Sequence, residues 1–361
     1  MVPNGWKSIR LNQISETVTS GSRDWAQYYS DSGSKFIRMT NLPRDGIYLK
    51  LGDLKYVDVH SNSSDGKRTS LKTGDLLISI TAELGKIGWV PPELGEAYIN
   101  QHTALVRVKE KNADSKYVAY LLSSHAMRHK INRLNDSAAK AGLNLPTIRS
   151  IPILLPPLPE QRKIAKTLST WDKAIATTEK LIETSKQQKK ALMQQLLTGK
   201  KRLVNPETGK EFQGGWEEVK LSSIAKQGKG NFIDGDWIES PYIAESGCRL
   251  IQTGNIGVGC FKNKNKKFVS ETSFRELKCN EVKVNDLLIC RLAEPAGRAC
   301  VVPELGEAKM LTSVDVTIMR VDGAKSSPKY LSYYFSLDHT LYVVSTLCGG
   351  STRSRVSRTN L

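Results

Sequence analysis

The side chains best suited to chemistry are arginines grouped with small hydroxyl residues around residue 350. Arg353, Arg355 and Arg358 alternate with serine and threonine in this segment. Guanidinium groups next to hydroxyls are typical of contacts with nucleic-acid phosphates, although the same composition also fits a solvated surface. We therefore take these three arginines as candidate DNA contacts.

Other polar residues have the chemistry to read base edges or neutralise phosphates. Asn100-Gln101-His102 is either a structural turn or such a contact, and the remaining candidates lie in loop-like, basic or repeated stretches. The further candidates are Arg23, Trp25, Arg38, Lys67, Arg68, Gln101, His102, Lys140, Asn144, Lys229, Asn231, Gln252, Lys264, Lys266, Lys267, Arg291 and Arg298.

No group of residues forms a recognisable catalytic motif. The run Gly228-Lys229-Gly230 does not continue as a nucleotide-binding loop, and there is no Asn-Pro-Pro-aromatic run of the methyltransferase type. The six cysteines include no Cys-x-x-Cys pair, which gives no support for zinc and predicts reduced thiols. We expect neither catalytic residues nor a metal or cofactor in this chain.

The charge balance predicts a polyanionic partner. The sequence has 53 Lys and Arg against 36 Asp and Glu, a net charge of +17. An excess of this size favours nucleic acid or an anionic membrane. Because there is no apolar run of about 20 residues and no apolar signal core, we expect a cytoplasmic protein that binds double-stranded DNA and no membrane.

A long internal repeat positions these candidates. Pro92-Glu93-Leu94-Gly95-Glu96-Ala97 recurs unchanged at 303–308, and Asp75-Leu76-Leu77-Ile78 recurs at 286–289. A period of about 210 residues is too long for a solenoid unit and indicates two copies of a whole domain. Short β-rich runs followed by a late helix predict an α+β fold with largely antiparallel, twisted sheets in each copy.

A different kind of sequence separates the copies. Residues 151–159 are apolar and proline-rich, which favours an extended connection. Residues 160–197 contain neither Gly nor Pro and would form a helix of about 57 Å. One apolar stripe along this helix predicts pairing with another helix in a coiled-coil manner. The stripe consists of Ile164, Leu168, Trp171, Ile175, Ile182, Leu192 and Leu196.

These patterns give a division into four parts. We predict a first domain over 1–158, a central helix over 159–199, a linker over 200–214 and a second domain over 215–361. Leu361 aligns near Ile148, so a second proline-rich stretch and a C-terminal partner helix are expected but missing from this sequence.

Several motifs together resemble the specificity subunits of type I restriction–modification systems. They are Gly5-Trp6, Gly74–Ser79, Asn100–His102, the proline-rich run ending at Gln161, Leu196–Lys200, and Gly215-Trp216. The resemblance implies two target-recognition domains that each read one half of a split, asymmetric DNA site. It further implies two antiparallel helices that set the spacing and bind two methyltransferase subunits, with restriction subunits joining the complex. S-adenosylmethionine, ATP and Mg²⁺ would then be used by these partner subunits.

Two other interpretations remain open from the residues. One is the recognition region of a single-chain restriction–methylation enzyme, which a nuclease or methyltransferase motif in a longer reading frame would support. The other is a helical scaffold that binds only proteins, whose positive charge serves solubility. A scaffold would select no sequence from a pool of randomised duplexes.

Overall fold

The computed structural model describes residues 3–23, 25–59, 64–135, 142–350 and 353–361, with the backbone alone for 64 and 65. These residues form two compact units, Met1–Lys180 and Leu181–Leu361. The boundary falls inside one long helix, so that each unit includes part of it.

The described residues of the first unit form ten strands and six helices, and the last helix continues into the second unit. The strands are β1 Lys7–Arg10, β2 Ser15–Ser20, β3 Tyr29–Ser30, β4 Ser34–Ile37, β5 Lys55–Val57, β6 Leu76–Ser79, β7 Ile87–Trp89, β8 Ala97–Ile99, β9 Thr103–Val108 and β10 Pro152–Leu155. The helices are α1 Leu11–Ile14, α2 Ser64–Thr69, α3 Ser115–Ser123, α4 His125–Arg133, α5 Leu145–Ser150 and α6 Leu158–Leu196.

The second unit repeats most of this element order. Its strands are β11 Phe232–Asp234, β12 Ile243–Ala244, β13 Cys248–Ile251, β14 Lys267–Val269, β15 Leu287–Cys290, β16 Ala299–Val301, β17 Met310–Thr312 and β18 Val316–Met319. Its further helices are α7 Glu271–Glu276, α8 Pro328–Tyr334 and α9 Asp338–Thr346.

Sheet topology confirms the predicted α+β repeat. The first unit has sheets ordered β2-β9-β6-β7 and β3-β5-β4-β8, and the second has β11-β18-β15-β16 and β12-β14-β13-β17. One pair in each unit is parallel, β4 with β8 and β13 with β17, while the other pairs within these sheets are antiparallel. Strand for strand, the two units therefore have the same topology.

The repeated Leu-Leu-Ile motif supplies two hydrophobic cores at once. Side chains alternate across a strand, so Leu76 and Ile78 of β6 enter one core while Leu77 enters another. In β15, Leu287 and Ile289 likewise share one core, with Leu288 in a second. A strand buried on both faces has no polar alternation, which explains its continuous apolar run.

The proline-rich segment is part of the first unit rather than only a connection. Its β10 pairs antiparallel with β1, with Ile153 opposite Ile9, and buries Ile153 and Leu155. Helix α6 then begins at Leu158, where the buried Gln161 amide accepts from the Asp114 N–H at 2.9 Å and donates to the Pro156 carbonyl at 2.8 Å.

Helix α6 runs without interruption over 39 residues. Only Gln161 and Ala165 are buried, whereas the side chains of the predicted pairing stripe are largely accessible. Leu168, Trp171, Ile175, Ile182 and Leu192 are each 40–66% exposed. The helix is therefore as predicted, and its pairing with another helix stays a prediction.

Candidate nucleic-acid interface

Several candidates of the first unit lie near the edge at which strands β2 and β8 end. At this edge Gly21 approaches the Asn100 backbone so closely that an added Cβ would lie 2.1 Å from the Asn100 carbonyl carbon. Gly235 has the same relation to Ser313 in the second unit, which identifies the equivalent edge there. The loop that follows each glycine is therefore held against the turn after β8 or β17.

Trp25 contradicts its prediction as a DNA contact. It is only 4% exposed and packs against Phe36 at 4.7 Å and Tyr98 at 5.9 Å between ring centroids. The indole is part of a small aromatic core because this loop folds back over its sheet. Arg23, two residues earlier, is exposed and stays a candidate.

Arg291 is also buried, contrary to its prediction, whereas Arg298 is partly exposed and its contact with DNA stays a prediction. Arg291 is 5% exposed, lies 3.3 Å from the Asp234 carboxylate and donates to the Val314 carbonyl at 2.5 Å. Burial lowers the pKa of Arg291. Arg298 donates to four backbone carbonyls, those of Ile256, Leu292, Pro295 and Thr253. Both guanidinium groups are used to hold loops together.

Arg38 and Gln252 occupy equivalent framework positions. The backbone N–H of each donates to an asparagine three residues later, Asn41 or Asn255, at 2.9 Å. The Arg38 guanidinium also pairs with Asp53 at 3.0 Å, on an exposed rim. The repeated asparagine therefore shapes a turn in both units. The residue three positions before it is Arg38 in the first unit and Gln252 in the second.

The Asn100–His102 segment is a turn whose three residues are all partly exposed. Asn100 Oδ1 accepts from the His102 N–H at 3.2 Å, and His102 Nδ1 lies 2.9 Å from the Thr81 hydroxyl. Gln101 is partly exposed between them. In the second unit Asp315 takes the place of His102, so the two turns present different chemistry.

Arg68 lies at the same edge of the first unit. Arg68 donates to the Ser20 carbonyl at 2.7 Å and to the Ser22 hydroxyl, while Lys67 is exposed on α2. Asn144 caps α5 by accepting from the Thr147 N–H at 2.8 Å and is exposed on its outer side. Lys140 lies outside the described residues.

The arginine segment near the end of the second unit is partly paired. Arg355 lies 3.3 Å from Asp315, and Arg358 lies 3.7 Å from Asp234 and donates to the Phe232 carbonyl. Both side chains keep 38–39% exposure, and Arg353 is exposed. The pairing fixes their direction and leaves part of each guanidinium accessible to an anion.

A second basic stretch of this unit is exposed between β13 and β14. Lys264, Lys266 and Lys267 are all exposed, and Lys266 lies 3.4 Å from Glu307. The loop is shaped from inside by Asn255, whose amide donates to the carbonyls of residues 262 and 264. Exposed lysines on a loop that is held in place by hydrogen bonds are suited to contact with phosphates.

The remaining candidates are Lys229, which lies in a basic cavity of about 680 Å³, and Asn231, which is not one of its lining residues. Asn231 donates to the Gln227 carbonyl at 2.8 Å and is structural, whereas Lys229 lines the cavity. Lys226 and Lys325 also line it, and sequence reasoning missed both. Only the fold brings these residues together, since they are almost 100 positions apart.

Trp237 is another residue that sequence reasoning missed. It is 71% exposed and follows Gly235 in the loop equivalent to the one that carries Arg23. An exposed indole can stack on a base or fill a groove. Residue type alone could not identify Trp237 as exposed, since Trp25, the tryptophan in the corresponding stretch of the first unit, is buried.

Within the described ranges, no cluster of three His, Cys, Asp or Glu side chains could hold a metal ion. Among those same residues, no helix is both long and apolar enough to cross a membrane.

Comparison with known proteins gives consistent results. A family model described as type I restriction modification DNA specificity domain matches residues 3–187. The specificity subunit of the type I restriction enzyme MjaVIII from Methanocaldococcus jannaschii is 24% identical over 302 residues, covering 73% of this chain and 67% of that protein.

Two solved structures share the fold. A chain from a structure of the complex assembly and conformational transition of the type I R-M system has a TM-score of 0.54 at 17% identity, with 100% of this chain and 85% of that chain covered. The S subunit of the type I restriction–modification system from M. genitalium has a TM-score of 0.53 at 12% identity, with 94% and 78% covered.

Proposed function

Because this chain belongs to the type I restriction–modification DNA specificity family, we propose that its two units each read one half of a bipartite, asymmetric DNA target. One observation carries the proposal: the units repeat the same sheet order and register, yet differ in the side chains of equivalent exposed loops. Arg23 comes two residues after Gly21 in the first unit, whereas Trp237 comes two residues after the equivalent Gly235 in the second. Different side chains on one framework select different bases.

Affinity and selectivity come from different residues in this proposal. Exposed lysines and arginines neutralise phosphates and make binding dependent on salt. Loop side chains that reach base edges, with Arg23, Gln101 and Trp237 as the foremost candidates, choose the sequence. Methylation and cleavage take place in partner subunits, which use S-adenosylmethionine, ATP and Mg²⁺, and the whole complex works on DNA in the cytoplasm.

The first prediction concerns selection from DNA. The chain, incubated with randomised duplexes, should enrich two short sequences at a constant separation that are not repeats of each other. Arg23→Ala should relax only one of the two, and Trp237→Ala only the other, because they lie in different units. Sequencing of the bound duplexes measures this result, and Tyr342→Ala, at a 67% exposed position on α9, is the control.

Two results would contradict the proposal. Bound duplexes without any enriched sequence would favour a scaffold that binds only proteins. Loss of both half-sites with either variant would show that the units do not read separately.

The exposed stripe of α6 supports a role in assembly. Its five accessible apolar side chains form an exposed apolar face. We propose that this face pairs with a second helix and with two methyltransferase subunits. Restriction subunits would join through that complex.

An apolar cavity in the second unit supports the second helix. The cavity, about 330 Å³, is lined by Trp216, Tyr330, Tyr334, Phe335 and residues 217–219. The equivalent place in the first unit is filled: β10 pairs with β1, and the Tyr117 hydroxyl donates to the Leu154 carbonyl at 2.9 Å. We propose that an extended apolar segment followed by a helix, with the chemistry of residues 151–165, occupies this cavity.

The second prediction tests that occupant with a peptide of residues 151–166. It should bind the protein and protect the amides of residues 217–220 from hydrogen exchange, because an added strand pairs with them. Tyr334→Ala should weaken binding about tenfold, the equivalent of about 1.4 kcal/mol from a lost aromatic contact. Tyr342→Ala should not. Equal protection in both variants would place the peptide elsewhere.

A further inference from the structure

The second unit contains a loop that the first unit lacks. Ser15 and Ala225 are equivalent because they pair with Val108 and Val321, and Val18 and Phe232 are equivalent because they pair with Val106 and Met319. Between these positions the first unit has only Glu16 and Thr17, whereas the second has residues 226–231, Lys-Gln-Gly-Lys-Gly-Asn. The shared framework thus carries an insertion of four residues here.

Arg320 holds this loop at both ends. The Lys226 N–H donates to the Arg320 carbonyl at 2.8 Å, and the Arg320 N–H donates to the Asn231 carbonyl at 2.8 Å. The Arg320 guanidinium also donates to the Gly230 carbonyl at 2.9 Å while it pairs with the buried Asp286 at 3.4 Å. Gly228 and Gly230 have φ of +102° and +89°, which favours glycine at both positions. The loop is therefore built into the framework rather than freely extended.

The cavity under this loop is lined by cations without a carboxylate. Lys226, Lys229, Lys325 and Arg358 line its 680 Å³ together with the hydroxyls of Ser222 and Ser223. Lys325 is held at its edge by donating to the Ser223 carbonyl at 2.9 Å. Arg358 lies 3.7 Å from the Asp234 carboxylate, whereas the three lysines have no carboxylate among the residues that line the cavity, and this excess of positive charge favours an anion.

The equivalent positions of the first unit have no such charge. Glu16 stands where Lys226 is, since each follows the paired residue directly. Asn112 stands where Lys325 is, since each N–H donates to a residue three positions earlier, Lys109 or Asp322, whose own N–H donates to Ile14 or Ile224. Among the residues that the structure describes, the second unit therefore forms this anion site and the equivalent positions of the first do not.

We propose that this cavity binds a phosphodiester group of the DNA backbone and anchors the second unit to its half-site in a way that the first unit does not. The inference rests on the proposed DNA-reading function and assigns it an additional contact. Lysine ammonium groups suit this task because they bind phosphate as point charges from several directions. Such a contact positions the domain without choosing a base.

The test compares the double variant Lys226→Gln/Lys229→Gln with Lys109→Gln/Lys111→Gln, which removes the same charge from the first unit. Binding to the selected duplex is titrated over a range of NaCl concentrations. One lost phosphate contact should reduce the slope of log Kd against log salt by about 0.9 in the cavity variant, with affinity about tenfold weaker at low salt. The sequences selected from random duplexes should stay the same.

A scan with single neutral methylphosphonates locates the contact. One substitution, next to the half-site lost in Trp237→Ala, should weaken the unmodified protein but not the cavity variant. An unchanged or control-like salt slope, or no such position in the scan, would overturn the inference while leaving sequence selection intact. Protection of residues 226–231 from hydrogen exchange by inorganic phosphate, with an unchanged slope for DNA, would assign the cavity to a free phosphate and also overturn it. Failure of the proposed function would instead appear as loss of sequence selection.

Discussion

Replacement of Asp75 by alanine should destabilise the first unit by about 3 kcal/mol. The Asp75 carboxylate is 1% exposed and accepts two hydrogen bonds from Arg107, at 2.6 and 2.8 Å. It also accepts from the Lys72 N–H at 2.7 Å. Without it, the Arg107 guanidinium, whose side chain is 19% exposed, keeps the Ser70 carbonyl at 3.2 Å as its remaining hydrogen-bond partner among the described residues. A buried charge without its counter-ion is costly.

Hydrogen exchange measured in urea reports this loss for each unit separately. Amides of β6 and β9 should exchange faster in Asp75→Ala, while those of β15 and β18 should not change. Asp53→Ala is the matched control, because Asp53 also pairs with an arginine at 3.0 Å but is 84% exposed, which limits its effect to about 1 kcal/mol or less. Equal effects of the two variants would show that the buried pair does not hold the unit together.

Lengthening α6 should change the separation of the two DNA half-sites. Four residues inserted between Thr177 and Thr178 add about 6 Å to a helix, and seven add about 10.5 Å. At about 3.4 Å per base pair these lengths correspond to about 2 and 3 base pairs. Residues 173–190 are all exposed, so the insertion removes no buried contact. Methylated sites left by the assembled complex should contain the same half-sites at a longer spacing.

Comparing the two insertions distinguishes an effect of the length of α6 from a general disruption of the protein. The four-residue insertion also rotates the following part of α6 by about 40°, whereas the seven-residue insertion rotates it back by about 20°. Replacement of residues 177–179 by three alanines keeps the length and is the control. An active complex that kept its original spacing with both insertions would refute the idea that α6 sets the distance between half-sites.

Much of the fold could be predicted because the sequence repeats its most constrained residues. The motif Asp75-Leu76-Leu77-Ile78 recurs because its aspartate shapes a turn and pairs with an arginine. The three apolar residues that follow fill two hydrophobic cores. The helix predicted over 160–197 is observed as α6, Leu158–Leu196. Periodicity and turn chemistry determine such elements locally.

The candidate site was harder to predict, because residue type does not reveal exposure. Trp25 and Trp237 follow equivalent glycines, yet one is 4% and the other 71% exposed. Arg291 and Arg358 both lie near Asp234, but only Arg358 has much of its side chain accessible. These differences depend on which loop folds over which sheet, and that depends on contacts distant in sequence.

The attachment of residues 226–231 to Arg320 has a consequence for engineering. Both ends of this loop bind the same framework residue, Arg320. The length and composition of the loop can therefore change without altering the packing of the sheets on either side. Arg107 occupies the same place in the first unit, with two residues across from it instead of six. Transplanting Lys-Gln-Gly-Lys-Gly-Asn to that position should give the first unit the same loop, and with it two of the lysines of the proposed phosphate site.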